Sequence, residues 1–152
     1  MTTRILFVCL GNICRSPSAE GVFRTLAPDV ATDSAGTGDW HIGAPPYGPM
    51  QDAAHARGYD LSDLRARQFT ARDFTDFDLI LAMDDANLRA IERLRPKGND
   101  TPVRLFTGYA PERGMTHVPD PYKTRDFHGT LELIETCARG LAATLGPGGR
   151  SA

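Results

Sequence analysis

The chain has 152 residues, of which 41% are hydrophobic and 24% charged, and its formal net charge is −2. This length and composition are typical of one globular domain with its own hydrophobic core. The charge balance provides no field that would attract nucleic acid or an anionic membrane, so we expect no nucleic-acid partner and no membrane insertion.

The apolar runs and the cysteines bear on the compartment. No apolar run reaches membrane-spanning length, and the apolar segment from Ile5 to Leu10 is too short for the hydrophobic region of a secretory signal. The three cysteines cannot all pair with one another, so a disulfide framework is not expected. These features predict a cytoplasmic protein, although export by a route without such a signal stays open.

The first half of the chain alternates between predicted strands and helices. Residues 4–8 form a short continuous apolar run, typical of a strand buried on both faces of a parallel sheet. Ser16 followed by Pro17 predicts a helix start, with Ser16 as the N-cap. Residues 30–37 predict a second strand, and residues 49–57 predict a second helix after a loop rich in Gly and Pro.

The second half continues the alternation. Residues 77–83 predict a third buried strand, and Asp84 or Asp85 would cap the helix after it. Residues 103–106 predict a fourth strand, and an apolar stripe over residues 131–145 predicts a long final helix. The alternation indicates an α/β fold with a parallel sheet. We expect one domain over residues 1–152, with a flexible tail from about residue 146.

The segment Cys9-Leu-Gly-Asn-Ile-Cys-Arg-Ser16 lies between the first strand and the first helix. A loop that curls into a helix N-terminus directs several backbone N–H groups and the positive end of the helix dipole at one point. Gly11 would let the backbone turn tightly, and the planar guanidinium of Arg15 can hold two phosphate oxygens. The same positive surroundings favour a thiolate at Cys9. We therefore predict a nucleophile at Cys9 and a phosphate-binding loop made of Leu10, Gly11, Asn12, Ile13, Cys14, Arg15 and Ser16.

Cleavage of a phosphate ester also needs a proton for the leaving oxygen, which a positioned carboxylic acid can supply. Asp120 is the best candidate, because it lies in a predicted irregular loop and Pro121 restricts it to extended backbone. Taken alone, the Asp-Pro dipeptide is a common turn signal.

Together, the loop of residues 9–16 with Pro17 and the later Asp120-Pro121-Tyr122 resemble the low-molecular-weight protein tyrosine phosphatases. Less specific matches occur at residues 33–37, 66–68 and 83–84, so the resemblance runs from Ile5 to about Leu145. It implies a four-stranded parallel sheet flanked by helices on both faces. It further implies no metal or organic cofactor, and a tyrosine-phosphorylated protein or a small aryl phosphate as the substrate.

The resemblance also implies roles for individual residues. Cys9 would form a phosphocysteine, and Arg15 would bind phosphate and stabilise the transition state. Asp120 would protonate the phenolate and then activate the water that releases phosphate.

Five more positions take supporting roles by the same resemblance. Asn12, Ser16 and Ser34 would hold the loop in shape through hydrogen bonds, and Ser16 would assist the thiolate as a leaving group. Trp40 and Tyr122 would line the substrate cleft and stack on an aromatic ring.

The chain also departs from the pattern of the family. Lys123 follows Tyr122, where relatives often carry a second aromatic residue, and Leu64-Arg65 stand where relatives often have a histidine. For Cys14 two interpretations stay open, a plain loop residue or the partner of Cys9 in a reversible protective disulfide.

Two other functions are compatible with parts of this pattern. An arsenate reductase on the same scaffold needs further thiols in a relay, and only Cys14 and Cys137 remain, with no late cysteine pair. A phospho-ligand binding module without activity is disfavoured because Cys9, Arg15 and Asp120 are all present. The four histidines lack metal-ligand spacing, so no metal site is expected.

Overall fold

The computed structural model describes residues 2–145, and a four-stranded parallel sheet lies at its centre. The strands are β1 (Arg4–Cys9), β2 (Ala31–Gly36), β3 (Leu79–Ala82) and β4 (Val103–Leu105), in the spatial order β2-β1-β3-β4. In this order β1 is paired on both sides, with Val8 opposite Ala35 of β2 and Ala82 of β3. The predicted parallel sheet is confirmed.

Within the described part of the chain, residues 2–145, six helices and two short 3-10 turns connect and cover the strands. The helices are α1 (Arg15–Leu26), α2 (Gly48–Ala56), α3 (Asp73–Asp76), α4 (Asp85–Glu92), α5 (Pro121–Thr124) and α6 (Phe127–Leu145), and the 3-10 turns are Phe106–Tyr109 and Pro111–Arg113. The predicted flexible tail at 146–152 lies outside the described residues. Within residues 2–145, every helix is too short or too polar to cross a membrane.

The predicted caps at the starts of α1 and α4 have different outcomes. The predicted cap at Ser16 is wrong, because α1 begins at Arg15, two residues before Pro17, and Cys14 occupies its N-cap position. The Ser16 hydroxyl lies instead 3.0 Å from the Cys9 Sγ, a tertiary contact that a local capping rule does not anticipate. At α4 the cap is Asp84, whose Oδ1 accepts a hydrogen bond of 2.7 Å from the Asn87 N–H.

The two faces of the sheet pack into separate hydrophobic cores because side chains alternate along β1. Ile5 and Phe7 face the larger core, where α1, α2 and α6 pack. Leu6 and Val8 face the smaller core, which includes Phe74 of α3 and Ile91 of α4. Helices therefore flank both faces of the sheet, as expected.

This arrangement places the Cys9 loop at the carboxyl end of a central strand. At that edge the neighbouring strands β2 and β3 end as well, and ligands in parallel sheets bind there. Gly36, at the end of β2, makes the close approach of the loop possible, since a Cβ on Gly36 would lie 2.8 Å from the Leu10 carbonyl oxygen.

Candidate active site

The loop after β1 closes around the sulfur of Cys9. The Asn12 backbone N–H donates to the Cys9 Sγ over 3.3 Å, and the Ser16 hydroxyl lies 3.0 Å from the same atom. Helix α1 begins at Arg15, so the positive end of the helix dipole faces this loop. The contacts place the Asn12 N–H and the Ser16 hydroxyl beside the sulfur, where both can donate hydrogen bonds to it.

Asn12 provides the tight turn that the sequence assigned to Gly11. Asn12 has a φ of 56°, the left-handed region, which asparagine tolerates better than most residues. Its side chain is fixed on both ends: Nδ2 donates to the hydroxyls of Ser16 (2.8 Å) and Ser34 (3.0 Å), and Oδ1 accepts from the Arg67 backbone N–H (3.0 Å). The expectation that Asn12, Ser16 and Ser34 are joined by hydrogen bonds therefore agrees with their contacts.

Gly11 has a different structural reason to be glycine. A Cβ at this position would lie 3.1 Å from Cδ2 of His41, so a side chain would press against the imidazole ring. The predicted tight turn at Gly11 is thus wrong in its position by one residue, since the left-handed residue is Asn12.

Arg15 is held in one orientation at the floor of the site. Its Nη1 donates to Oδ2 of Asp84 (2.8 Å) and to the Val118 carbonyl oxygen (3.1 Å), and its side chain is only 5% exposed. Burial alone would lower the pKa of Arg15, but Cys9 and two carboxylates more than compensate, so its pKa lies above the usual value. Arg15 is therefore a fixed, permanently charged anion ligand.

Asp84 has a second contact that the sequence did not reveal. It caps α4 and also binds Arg15, because the carboxyl end of β3 lies next to that of β1. Burial by itself would raise the pKa of Asp84, but the hydrogen bonds from Arg15 and the Asn87 N–H bring it below the usual value. The sequence indicates Asp84 as a candidate helix cap and as part of a family match, but its contact with Arg15 is signalled only by its position at the end of a strand.

Asp120 lies on the other side of the cleft. Its Oδ1 accepts a hydrogen bond of 3.1 Å from the Tyr122 N–H, and its Oδ2 lies 4.0 Å from Nη2 of Arg15. The segment predicted to be an irregular loop is in fact the start of the short helix α5, which Asp120 caps with its side chain. The cap fixes the carboxyl group near Arg15.

A cavity of about 190 Å³ joins these parts. It is lined by Cys9, Leu10, Gly11, Ile13, Cys14, Arg15, Trp40, His41, Asp120, Tyr122 and Lys123. Trp40 is 70% exposed at its rim, and the Tyr122 ring packs 5.0 Å from that of Tyr47. Sequence reasoning missed His41 and Lys123 as lining residues, although both adjoin a predicted wall residue in the chain.

Three of the predicted residues do not line the cavity. Asn12, Ser16 and Ser34 are buried behind the loop and act there through hydrogen bonds to one another. The site thus has a lined cleft in front and a polar support behind.

The cysteines differ in environment. Burial, then proximity to Cys9 and Asp120, raises the pKa of Cys14 to about 12, so this thiol stays protonated. Cys137, on α6, is fully buried in the hydrophobic core. Among residues 2–145 all three cysteines are free, and only Cys9 and Cys14 reach the cleft. A Cys9–Cys14 disulfide stays a prediction.

Comparison with known proteins identifies the family. A sequence profile described as "Low molecular weight phosphotyrosine protein phosphatase" matches residues 4–149. The chain belongs to this family.

The alignments with relatives of this phosphatase cover nearly all of its length. It is 39% identical to the low molecular weight protein-tyrosine-phosphatase YfkJ of Bacillus subtilis, with 93% of this chain and 94% of that one covered. It is 46% identical to a low molecular weight protein-tyrosine-phosphatase of Streptomyces coelicolor, with 95% and 94% covered. The crystal structure of YfkJ superposes with a TM-score of 0.89 over 95% of both chains. The chain is therefore a protein-tyrosine-phosphatase, and its four-stranded fold is that of the family.

Proposed function

We propose that Cys9 is the nucleophile of this phosphatase, Arg15 its phosphate ligand, and Asp120 its general acid and base. The observation that carries this assignment is that all three side chains line one cavity, at the end of β1 and the start of α1. The family supplies the reaction class, and the contacts described above support each role.

In the first step, the Cys9 thiolate attacks phosphorus and the bond to the aryl oxygen breaks. Asp120 donates its proton to the departing oxygen, which leaves as a phenol. Arg15 holds two of the equatorial oxygens, since its orientation is already fixed by Asp84 and the Val118 carbonyl. The product is a phosphocysteine on Cys9.

In the second step, a water molecule attacks the phosphocysteine and the sulfur–phosphorus bond breaks. Asp120, now a carboxylate, accepts a proton from the water, and the electron pair of the broken bond returns to the Cys9 sulfur. The Ser16 hydroxyl, 3.0 Å from that sulfur, stabilises the emerging thiolate with a hydrogen bond. Inorganic phosphate then leaves the loop.

The cleft walls support an aromatic phosphate as the substrate, either a phosphotyrosine side chain of a protein or a small aryl phosphate. Trp40 and Tyr122 present ring surfaces at the rim, where the aryl group bonded to the phosphate would lie. A cytoplasmic location is proposed on the cysteine content.

The roles are tested by hydrolysis of p-nitrophenyl phosphate in the presence of EDTA, which also tests the prediction of a metal-free reaction. We expect activity that vanadate inhibits, none in Cys9→Ser, and a loss of roughly 10²-fold or more in kcat for Asp120→Ala with KM little changed. Activity that survives in Cys9→Ser would refute the nucleophile. Thiol-dependent arsenate reduction faster than ester hydrolysis would instead favour the reductase.

A further inference from the structure

A buried carboxyl group lies behind the loop, and none of the roles above uses it. Glu20, in the second turn of α1, is only 7% exposed. The Ser34 hydroxyl of β2 donates to its Oε1 over 2.7 Å. Burying a carboxyl group costs free energy unless the group is hydrogen-bonded. A buried Glu20 with a specific hydrogen-bond partner therefore indicates a role for this residue.

Glu20 begins an unbroken chain of hydrogen bonds that ends at the Cys9 sulfur. The Ser34 Oγ accepts from Nδ2 of Asn12 (3.0 Å), and the same Nδ2 donates to Oγ of Ser16 (2.8 Å). The Ser16 Oγ in turn lies 3.0 Å from the Cys9 Sγ. The chain contains only side chains, each of them at least nine-tenths buried.

The order of donors and acceptors along this chain is determined. Each hydroxyl has one proton to donate, so Ser34, donating to Glu20, must accept from Asn12. Asn12 donates its second amide proton to the Ser16 hydroxyl oxygen. The Ser16 hydroxyl proton is therefore available for donation to another acceptor. Two acceptors are in reach, the Cys9 Sγ at 3.0 Å and the Ala35 carbonyl oxygen at 3.4 Å, and the sulfur is the nearer.

We propose that Glu20 is a positioning residue that anchors Ser34 and so keeps the Ser16 hydroxyl directed at the Cys9 sulfur. This inference rests on the proposed function and extends it to a residue outside the cavity. The step that benefits is the second one, in which the sulfur–phosphorus bond breaks and negative charge returns to the sulfur. Ser16 donates a hydrogen bond there and transfers no proton, so the balance of the reaction is unchanged.

The surroundings of Glu20 determine its charge. Burial and the nearby carboxylates of Asp33 (β2) and Asp63 (after α2) oppose ionisation, whereas the Ser34 hydrogen bond and Arg24 of α1 favour it, and the pKa of Glu20 rises to about 7. Below that pH the carboxyl group is neutral, and its carbonyl oxygen still accepts the hydrogen bond from Ser34. Glutamine is then a close isosteric match for it, since its Oε1 also accepts a hydrogen bond.

The test separates the two chemical steps by rapid-quench kinetics with p-nitrophenyl phosphate at about pH 5.5, below the pKa of Glu20. The burst of p-nitrophenolate reports formation of the phosphocysteine, and the later steady rate reports its hydrolysis. The variants are Glu20→Ala, Glu20→Gln, Ser16→Ala and the double variant Ser16→Ala/Glu20→Ala. The matched control is Glu135→Gln, because Glu135 of α6 also accepts hydrogen bonds, but from Arg57 and Tyr59, away from the loop.

We expect Glu20→Ala to slow the steady rate by roughly tenfold, equivalent to about 1.4 kcal/mol in the barrier, with the burst rate kept within about twofold. Glu20→Gln and Glu135→Gln should match the wild type. The double variant should be no slower than Ser16→Ala, since Glu20 acts through Ser16.

Three results would overturn the proposal: an unchanged steady rate in Glu20→Ala, multiplied losses in the double variant, or equal damage in Glu20→Gln. If Glu20→Ala does not fold, Ser34→Ala cuts the chain at the next link and must slow the steady rate to the same extent. Absence of any Cys9-dependent burst in the wild type would refute the proposed function instead, so the two failures are distinguishable.

Discussion

Replacement of Glu20 by glutamine should change how the stability of the protein depends on pH. Burial, the largest cause, helps to raise the pKa of this carboxyl from an ordinary value of 4.5 to about 7 in the folded protein. The group is 7% exposed, so the shift can be converted into stability without a large correction for solvent screening. Glutamine cannot ionise, and it keeps the oxygen that accepts from Ser34.

The sign and the size follow from proton linkage. Below pH 4.5 the carboxyl is protonated in both states, and its contribution to stability is fully present. Between pH 4.5 and about 7 only the folded state holds the proton, so the free energy of unfolding falls as pH rises, and above about 7 the contribution is lost. Since one pKa unit corresponds to about 1.36 kcal/mol, the wild type should lose about 3 kcal/mol relative to Glu20→Gln across this window.

The assay is urea unfolding of both proteins at a series of pH values across this window. Other titrating groups contribute equally to both proteins and cancel in the difference. Glu135→Gln is the matched control with the opposite sign: burial alone would raise the pKa of Glu135, but hydrogen bonds from Tyr59 and Arg57 lower it. That variant should therefore lose stability relative to the wild type as pH rises toward the ordinary value of 4.5, and the difference should stay constant above it. A flat difference between Glu20→Gln and the wild type would refute the reasoning.

Three further predictions concern the walls and the floor of the cleft. Asp84→Ala removes both the α4 cap and the partner of the Arg15 guanidinium. We therefore expect the free energy of unfolding in urea to fall by about 1–2 kcal/mol and kcat/KM to fall roughly tenfold. Asp85→Ala, which changes an exposed side chain, should alter neither quantity. Trp40→Ala should raise KM for an aryl phosphate several-fold, by about 1 kcal/mol, and leave KM for an alkyl phosphate unchanged; an equal change for both would contradict ring stacking. If Cys14 protects Cys9 as a disulfide, peroxide-treated wild type should recover with dithiothreitol and Cys14→Ala should not, and equal recovery would make the disulfide prediction wrong.

The parts of the site that could be predicted from the sequence are those determined by residues adjacent in the chain. The continuous apolar run before Cys9 predicts β1, and the loop that follows predicts an anion site at its end. Both features depend on local chain chemistry, namely burial on two faces and backbone donors at a helix start. Asp120 can be predicted only from its Asp-Pro dipeptide together with the family resemblance, because the dipeptide alone is common.

The parts that escaped prediction depend on contacts between distant residues. Ser16 looks like a helix cap in the sequence, yet its hydroxyl is engaged with Cys9 instead. Asn12 can hold a left-handed backbone because Arg67, 55 positions later, donates to its side chain. Glu20 is unremarkable as a helix residue, and only the position of Ser34 on the neighbouring strand gives it a partner.

The identity of the nucleophile is tested most directly by trapping the covalent intermediate. The wild type and Cys9→Ser are mixed with p-nitrophenyl phosphate, quenched in acid during turnover, digested and examined by mass spectrometry. The geometry of the cavity predicts one added phosphoryl group on the wild-type peptide that contains Cys9, and none on the peptides of Cys9→Ser. A phosphoryl group on any other residue, or turnover without a phosphorylated Cys9, would contradict the account.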